Sequence, residues 1–151
     1  MKVYLASDHA GFELKETVKG FLLSRGYEIE DCGATSFNHD DDYPELISKA
    51  AKKVSNDQDS KAIIFGKSGA GEAIVANKFK NVRAVLGFSR ENVKLAREHN
   101  NVNTLSLGSY FVDAEIAKEL VRVFLETPFS NEERHIRRLG KIKNLENDIL
   151  K

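Results

Sequence analysis

Apolar positions along this chain switch repeatedly between a short-run rhythm and a helical one. Lys2–Ser7 (KVYLAS) is a short apolar run that reads as a strand. Phe12–Arg25 then sets Phe12, Leu14, Val18, Phe21, Leu22 and Leu23 on one helical face, and Gly26 follows as a C-cap. Tyr27–Cys32 (YEIEDC) alternates like a strand and stops at Gly33, whereas Ser36–Tyr43 is polar loop. Pro44 is placed to open a helix over about Glu45–Val54. A third strand, Ala62–Phe65, leads into a glycine-rich turn and a helix over about Gly71–Lys78. Arg83–Gly87 and Thr104–Leu107 read as strands four and five. Their helices cover about Ser89–Glu98, capped by Ser89, and Asp113–Leu125.

Strands that alternate with helices predict an α/β fold: a Rossmann-like three-layer sandwich with a five-stranded parallel sheet between helices. The pattern runs as one domain over residues 1–151 and ends in an extended C-terminal helix over about 130–149. In open sheets of this kind, ligands bind beyond the carboxyl ends of the strands, near the point where strand order reverses. Asp8-His9 follows strand one, and the glycine turn with Glu72 follows strand three.

That turn belongs to the segment Gly66-Lys67-Ser68-Gly69-Ala70-Gly71-Glu72-Ala73-Ile74-Val75-Ala76-Asn77-Lys78. A glycine turn between strand and helix leaves backbone N–H groups free to face a bound oxygen anion. Glu72 adds a carboxylate in the first helical turn, a combination suited to removing a proton beside a carbonyl while backbone donors hold the oxyanion. Gly66 and Gly71 have the spacing of a Walker A loop, but Glu72 and Ala73 stand where that motif needs Lys and Ser or Thr. Gly69 and Gly71 begin a dinucleotide fingerprint that fails at Ile74. The glycines also fit a plain tight turn with no ligand.

Two further groups carry chemistry. His99-Asn100-Asn101 ends helix four, which in a parallel α/β unit finishes on the rim opposite the strand carboxyl ends. Joining it to Asp8 and Glu72 requires a loop that climbs back or a neighbouring subunit. Arg134 and Arg138, four residues apart, share one helix face and could clamp a phosphate; a solvated basic face paired with Glu132 and Glu133 is the plainer alternative. Ile136, Leu139, Ile142, Leu145 and Ile149 continue an apolar stripe that a second copy of the chain would cover.

Composition narrows the classes. Lys+Arg and Asp+Glu both number 23, so the net charge of zero argues against a nucleic-acid binder held by phosphate contacts. No apolar run approaches the roughly 20 residues of a membrane span, and the early Asp8 does not suit a signal peptide. The single cysteine, Cys32, excludes an internal disulfide and fits a reducing compartment, so a cytoplasmic protein is expected. His39-Asp40-Asp41-Asp42 has the composition of a hard-metal loop, but Asp-rich loops are commonly just solvated, and no metal or cofactor is expected.

Asp8-His9-Ala10-Gly11-Phe12-Glu13-Leu14-Lys15, Asp42-Tyr43-Pro44, Gly66–Lys78, Arg97-Glu98-His99-Asn100-Asn101, Leu107-Gly108-Ser109 and Arg134-His135-x-x-Arg138 occur in that order. The set, spread over about residues 2–146, resembles the ribose-5-phosphate isomerase B family, within the wider group that includes the galactose- and allose-phosphate isomerases. The resemblance implies a metal-independent aldose–ketose isomerisation through an enediolate, a sugar-phosphate substrate, and sites shared across a homodimer, with a tetramer as a further option. Many members place a cysteine just before the glycine loop as base. Phe65 stands there in this chain, so the resemblance is to the branch that uses a glutamate, here Glu72.

By resemblance, His99 opens the sugar ring with Asp8 beside it, and the N–H groups of Ser68, Gly69, Ala70 and Gly71 hold the enediolate. His9, Arg134 and Arg138 bind the phosphate, the arginines coming from the partner, and Asn100 meets a sugar hydroxyl or the enediolate. Tyr43 covers the sugar, while His135 and Arg137 are structural. The family commonly carries arginine after Leu107-Gly108-Ser109, whereas this chain has Tyr110. Lys67, in the loop, either restores that positive charge or points to solvent. Three functions stay open: ribose 5-phosphate isomerisation, the same chemistry on another sugar phosphate (allose 6-phosphate, galactose 6-phosphate or a tetrose phosphate), and a non-catalytic sugar-phosphate sensor.

Overall fold

A computed structural model describes residues 1–149 of the chain; the last two positions of the expected 1–151 span lie outside the described residues. The elements are β1 (Lys2–Ser7), α1 (Phe12–Ser24), β2 (Glu28–Asp31), α2 (Tyr43–Asn56), β3 (Lys61–Gly66), α3 (Ala70–Ala76), β4 (Ala84–Leu86), α4 (Arg90–Asn100), β5 (Thr104–Gly108), α5 (Ala114–Glu126) and α6 (Glu133–Ile149). Each expected strand and helix is present, with ends displaced by at most two residues except in the C-terminal helix, which begins at Glu133 rather than about 130. Tyr43 already begins α2, so Pro44 occupies its first turn rather than opening the helix alone.

The five strands are all parallel, in the order β2-β1-β3-β5-β4. Alternation along each strand sorts side chains into two cores. Val3, Leu5, Ile63, Phe65, Leu105 and Leu107 pack on the face covered by α1, α4 and α5. Tyr4, Ala6, Ala62 and Ile64 pack on the face covered by α2 and α3. The sandwich therefore has three layers, and helix α6 extends beyond them. Strand order reverses between β1 and β3, so the crevice outside their carboxyl ends is the place such a sheet offers a ligand.

One buried charge fixes the edge of that crevice. Lys15 of α1 has no solvent exposure, yet its Nζ donates to Asp31 Oδ1 at 2.8 Å and to the Ala34 carbonyl. Lys19, one turn on, reaches Asp31 Oδ2 at 2.8 Å, and the Gly33 N–H donates to Asp31 Oδ1 at 2.9 Å. The apolar stem of Lys15 fills helix–sheet space while its head ties α1 to the end of the edge strand β2 and to the loop beyond. Burial pushes the Asp31 carboxyl up, but the two ammonium groups and the Gly33 N–H together outweigh it, so the carboxyl lies below its usual range.

Asp31→Asn leaves the Lys15 ammonium buried without its counter-charge and should cost about 3–5 kcal/mol in urea unfolding at neutral pH. Lys19→Met, on the partly exposed side of the cluster, should cost about 1 kcal/mol or less. A carboxyl with a depressed folded value stabilises above its unfolded value of about 3.9 and loses that contribution as pH falls through the folded one. The gap between wild type and Asp31→Asn should therefore narrow on acidification. A gap independent of pH would place the cost in packing rather than in charge.

Candidate functional site

The carboxyl rim of the sheet gathers the first half of the expected site residues. Asp8 directly follows β1 and is buried, with its Oδ1 accepting the Gly11 N–H at 3.0 Å where α1 begins. The loop after β3 is bound to β5 by backbone: Ser109 N–H donates to Gly66 O at 2.8 Å and Tyr110 N–H to Lys67 O at 3.0 Å. Ser106 Oγ donates to Gly69 O at 2.6 Å from within the sheet. Gly69 takes φ 81°, a left-handed conformation that turns the chain into α3. Glu72, three residues on, folds its carboxylate back against the Cα of Gly66, in space that a side chain there would occupy. A methyl on Gly71 would fall 2.8 Å from Tyr43 Cζ, so the Tyr43 ring lies over the loop.

Glu72 is 4% exposed. Burial raises its carboxyl above the usual range. The nearby Asp8 charge adds to this, while the N–H groups of Glu72 itself and of Gly69 oppose it. The position in the first helical turn leads one to expect a carboxylate held in its charged form, but here desolvation outweighs the helix end. The loop donors are also partly engaged. Ala70 N–H donates to Ser68 Oγ at 3.2 Å and that of Gly69 faces Glu72, leaving Ser68 and Gly71 without a protein acceptor among the described residues.

His9 sits beside Asp8 and points its Nδ1 at Asp41 Oδ1, 2.7 Å away; Asp41 was legible in the sequence only as one member of an acidic loop. This hydrogen bond, against a smaller cost of burial, raises the imidazole above its ordinary value. Asp8, His9 and Asp41 each bring one ligand-type atom within 4.8 Å of the others, the one such group among the described residues. Within it, His9 Nδ1 is hydrogen-bonded to Asp41 Oδ1 and Asp8 Oδ1 accepts the Gly11 N–H. His39 joins it through stacking on His9, with centroids 5.2 Å apart.

The second half lies on the opposite rim. Helix α4 starts where Asn92 Nδ2 bonds the carbonyl of Leu86, at the end of β4, and finishes where Arg83 Nε bonds the carbonyl of Asn101, beside the start of β4. His99 and Asn100 therefore end up remote from Asp8 and Glu72 within one chain. Arg134 and Arg138 stand exposed on the first turns of α6 at this same end, and Arg134 Nε bonds Glu132 at 3.0 Å. The His99 ring packs on that of the buried His135, centroids 4.4 Å apart, and His135 Nδ1 meets Ser130 Oγ at 2.9 Å. Burial, with His99 and the two arginines nearby, lowers His135. Sequence spacing gave no sign of this packing, which joins α4 to α6 by side chains 36 residues apart.

Tyr110 is 74% exposed on the carboxyl rim, edge-on to Phe111, with Lys67 Nζ 5.9 Å from its ring centroid. The residue in place of the arginine thus adjoins a lysine. Cys32 follows β2 with its thiol pushed up to about 11 by burial, which suits neither a base nor a nucleophile.

Glu72 gives a stability prediction with a definite sign. A carboxyl whose folded value is raised contributes stability below its unfolded value and loses it as pH rises through the folded value. Glu72→Gln removes the buried charge at equal size. Its melting temperature should exceed that of the wild type at pH 7, with the advantage disappearing near about pH 4. A variant less stable at pH 7 would mean that the charged carboxylate holds the loop together.

Known proteins share both this fold and this sequence. The Ribose/Galactose Isomerase family model matches residues 3–142. Ribose-5-phosphate isomerase B of Mycolicibacterium paratuberculosis is 43% identical over 146 residues, covering 97% of this chain and 92% of that protein. The crystal structure of ribose-5-phosphate isomerase B from Mycoplasma genitalium with bound ribulose-5-phosphate superposes with a TM-score of 0.93 at 35% identity, covering 97% and 96% of the two chains. The Clostridium thermocellum ribose-5-phosphate isomerase B structure gives a TM-score of 0.93 at 36% identity, over 98% and 99%. The chain belongs to the ribose/galactose isomerase family.

Proposed function

We propose that this protein interconverts ribose 5-phosphate and ribulose 5-phosphate, with its own side chains as acid and base. The observation that carries the reading is the buried Glu72 carboxyl at the end of the glycine loop, beside Asp8 and at the point where strand order reverses. Relatives at this level of identity, one of them seen with ribulose 5-phosphate bound, support the substrate. In the open-chain aldose, Glu72 takes the proton from C2 and the electron pair forms the C1–C2 double bond of an enediolate. The proton returns to C1 and the hydroxyl proton passes from O2 to O1, giving the ketose. A base works best with a value near the working pH, and burial moves a carboxyl in that direction. The N–H groups of Ser68 and Gly71, with Gly69 and Ala70 behind them, face the charge that develops on the enediolate.

The remaining roles need a second copy of the chain. His99, as ring-opening acid and base, Asn100 on a hydroxyl, and Arg134 and Arg138 on the phosphate lie on the rim opposite Glu72. Helix α6 also exposes Ile136, Ile142 and Leu145. A homodimer that sets one chain's α4–α6 end against the other's carboxyl rim would complete two sites and cover this stripe. Asp8 would receive the ring hydroxyl, His9 the phosphate, and Tyr43 would close over the sugar. Lys67 beside Tyr110 would supply the positive charge that the missing arginine leaves open. A cytoplasmic setting in pentose phosphate metabolism follows from the same substrate. A sensor that only bound sugar phosphate would gain nothing from a desolvated base.

Glu72→Gln should bind ribose 5-phosphate yet lose about 10²–10⁴-fold in kcat, while Cys32→Ser stays close to wild type. NMR detection of ribulose 5-phosphate, with solvent deuterium at the transferred carbon, reads the chemistry directly. Wild-type turnover by Glu72→Gln would end the assignment of the base.

The shared site has its own test. Neither Glu72→Gln nor Arg134→Ala/Arg138→Ala should turn over well alone, whereas mixed dimers should regain activity, because one of their two sites then has both an intact base and intact arginines. Absence of recovery after confirmed subunit exchange would place both sets of groups in one chain.

A further inference from the structure

His9 is held more firmly than a surface ligand needs to be. Asp41 Oδ1 meets its Nδ1 at 2.7 Å and its backbone N–H at 3.1 Å. The ring stacks on His39 at 5.2 Å and lies edge-on to Phe37 at 6.1 Å between centroids. The Asp41 side chain is 10% exposed, its Oδ2 is buried without any partner, and its one ion-pair partner among the described residues is His9. A buried carboxylate beside a neutral imidazole would be an uncompensated charge, so Asp41 favours the cationic form of His9. The sequence separates the two by 32 residues, with α1, β2 and the polar loop after β2 in between.

We propose that Asp41 is a positioning residue for substrate binding, keeping His9 cationic and turning its Nε2–H toward the anionic group of the ligand; the role rests on reading His9 as a phosphate ligand. The chemistry of the ring makes the arrangement selective. With Nδ1 donating to Asp41, a neutral His9 would present the Nε2 lone pair, which repels a phosphate oxygen, and only the cation presents an N–H there. Asp41 therefore decides whether the exposed edge of His9, 29% open to solvent, is a donor or an acceptor at neutral pH. His9 lines a cavity of about 600 Å³ with Glu13, Ser109 and Asp113. The charged and titratable groups around the ring are Asp8, Asp40 and Asp41, stacked His39, and Glu13 and Asp113 across the cavity. The carboxylates favour the cation and His39, when protonated, opposes it.

The test uses Asp41→Asn, which keeps size and an acceptor but no charge, and Asp41→Glu, which restores the charge. NMR titration of labelled histidines reads His9 directly, without substrate. Its midpoint should fall by about one pH unit or more in Asp41→Asn and recover in Asp41→Glu. At about pH 7, above the phosphate's own second ionisation near 6, the KM for ribose 5-phosphate should rise several-fold in Asp41→Asn with kcat within about threefold. Inhibition by inorganic phosphate should weaken in parallel. The KM difference from wild type should shrink toward about pH 5, where His9 is protonated in both. An unchanged His9 midpoint, or a loss confined to kcat, would overturn the proposal. His9→Gln separates the two layers: a wild-type KM there would remove His9 from the phosphate site and the proposed role with it, whatever the titration shows of the pair.

Discussion

The architecture of the site side depends on burying one ammonium group. The buried Lys15 head has its hydrogen-bond partners only if Asp31 and Ala34 O are both in place around it. That requirement pins the exit of the edge strand to the first helix, and the chain beyond it has one path left across the carboxyl rim. This path carries Asp41 to His9 and Tyr43 to Gly71. A hydrophobic residue at position 15 could fill the same space, but it would not dictate where the following loop goes. The buried pair buys register, in that sense, more than stability.

Three acids on the same side of the sheet show how one environment is used in opposite ways. Asp31 is buried against two ammonium groups, so its charge is kept, and Asp41 is hydrogen-bonded to the His9 ring. Glu72 is buried against glycine backbone and another carboxylate, so its charge is made costly. The difference lies in what the neighbours are, and all three are similarly hidden from water. Gly66 matters here as absent volume: the carboxylate of Glu72, from α3, occupies the place of a side chain at the end of β3. The desolvated carboxyl, alone of the three, is the one suited to exchanging a proton during a reaction.

Much of the fold was legible because β1, β3 and β5 are short apolar runs and α1, α4 and α5 show helical periodicity, and both follow from burying one face of each element. The glycine turn was legible because its residues are consecutive. Polar contacts across the fold were not. Asp41 meets His9, and His99 meets His135, only after intervening elements bring them together, and no local spacing encodes that. The raised Glu72 was missed for a related reason: a helix N-terminus can be read from sequence, whereas the dryness of a side chain depends on how the chain folds back, here Glu72 against Gly66. The division of the site residues between two rims was foreseeable from chain direction alone, since α4 must run back against β4.

Helix α6 and the end of α4 carry cations and an imidazole to the rim opposite Glu72. A small dianion gripped by groups from two polypeptides acts as a clamp between them. Whatever free energy the assembled pair contributes to holding that ligand, the ligand returns to the pairing, because linkage is reciprocal. In the proposed homodimer, occupancy and association would become one equilibrium: dilution of the protein would weaken its hold on substrate, and abundant substrate would keep scarce subunits together.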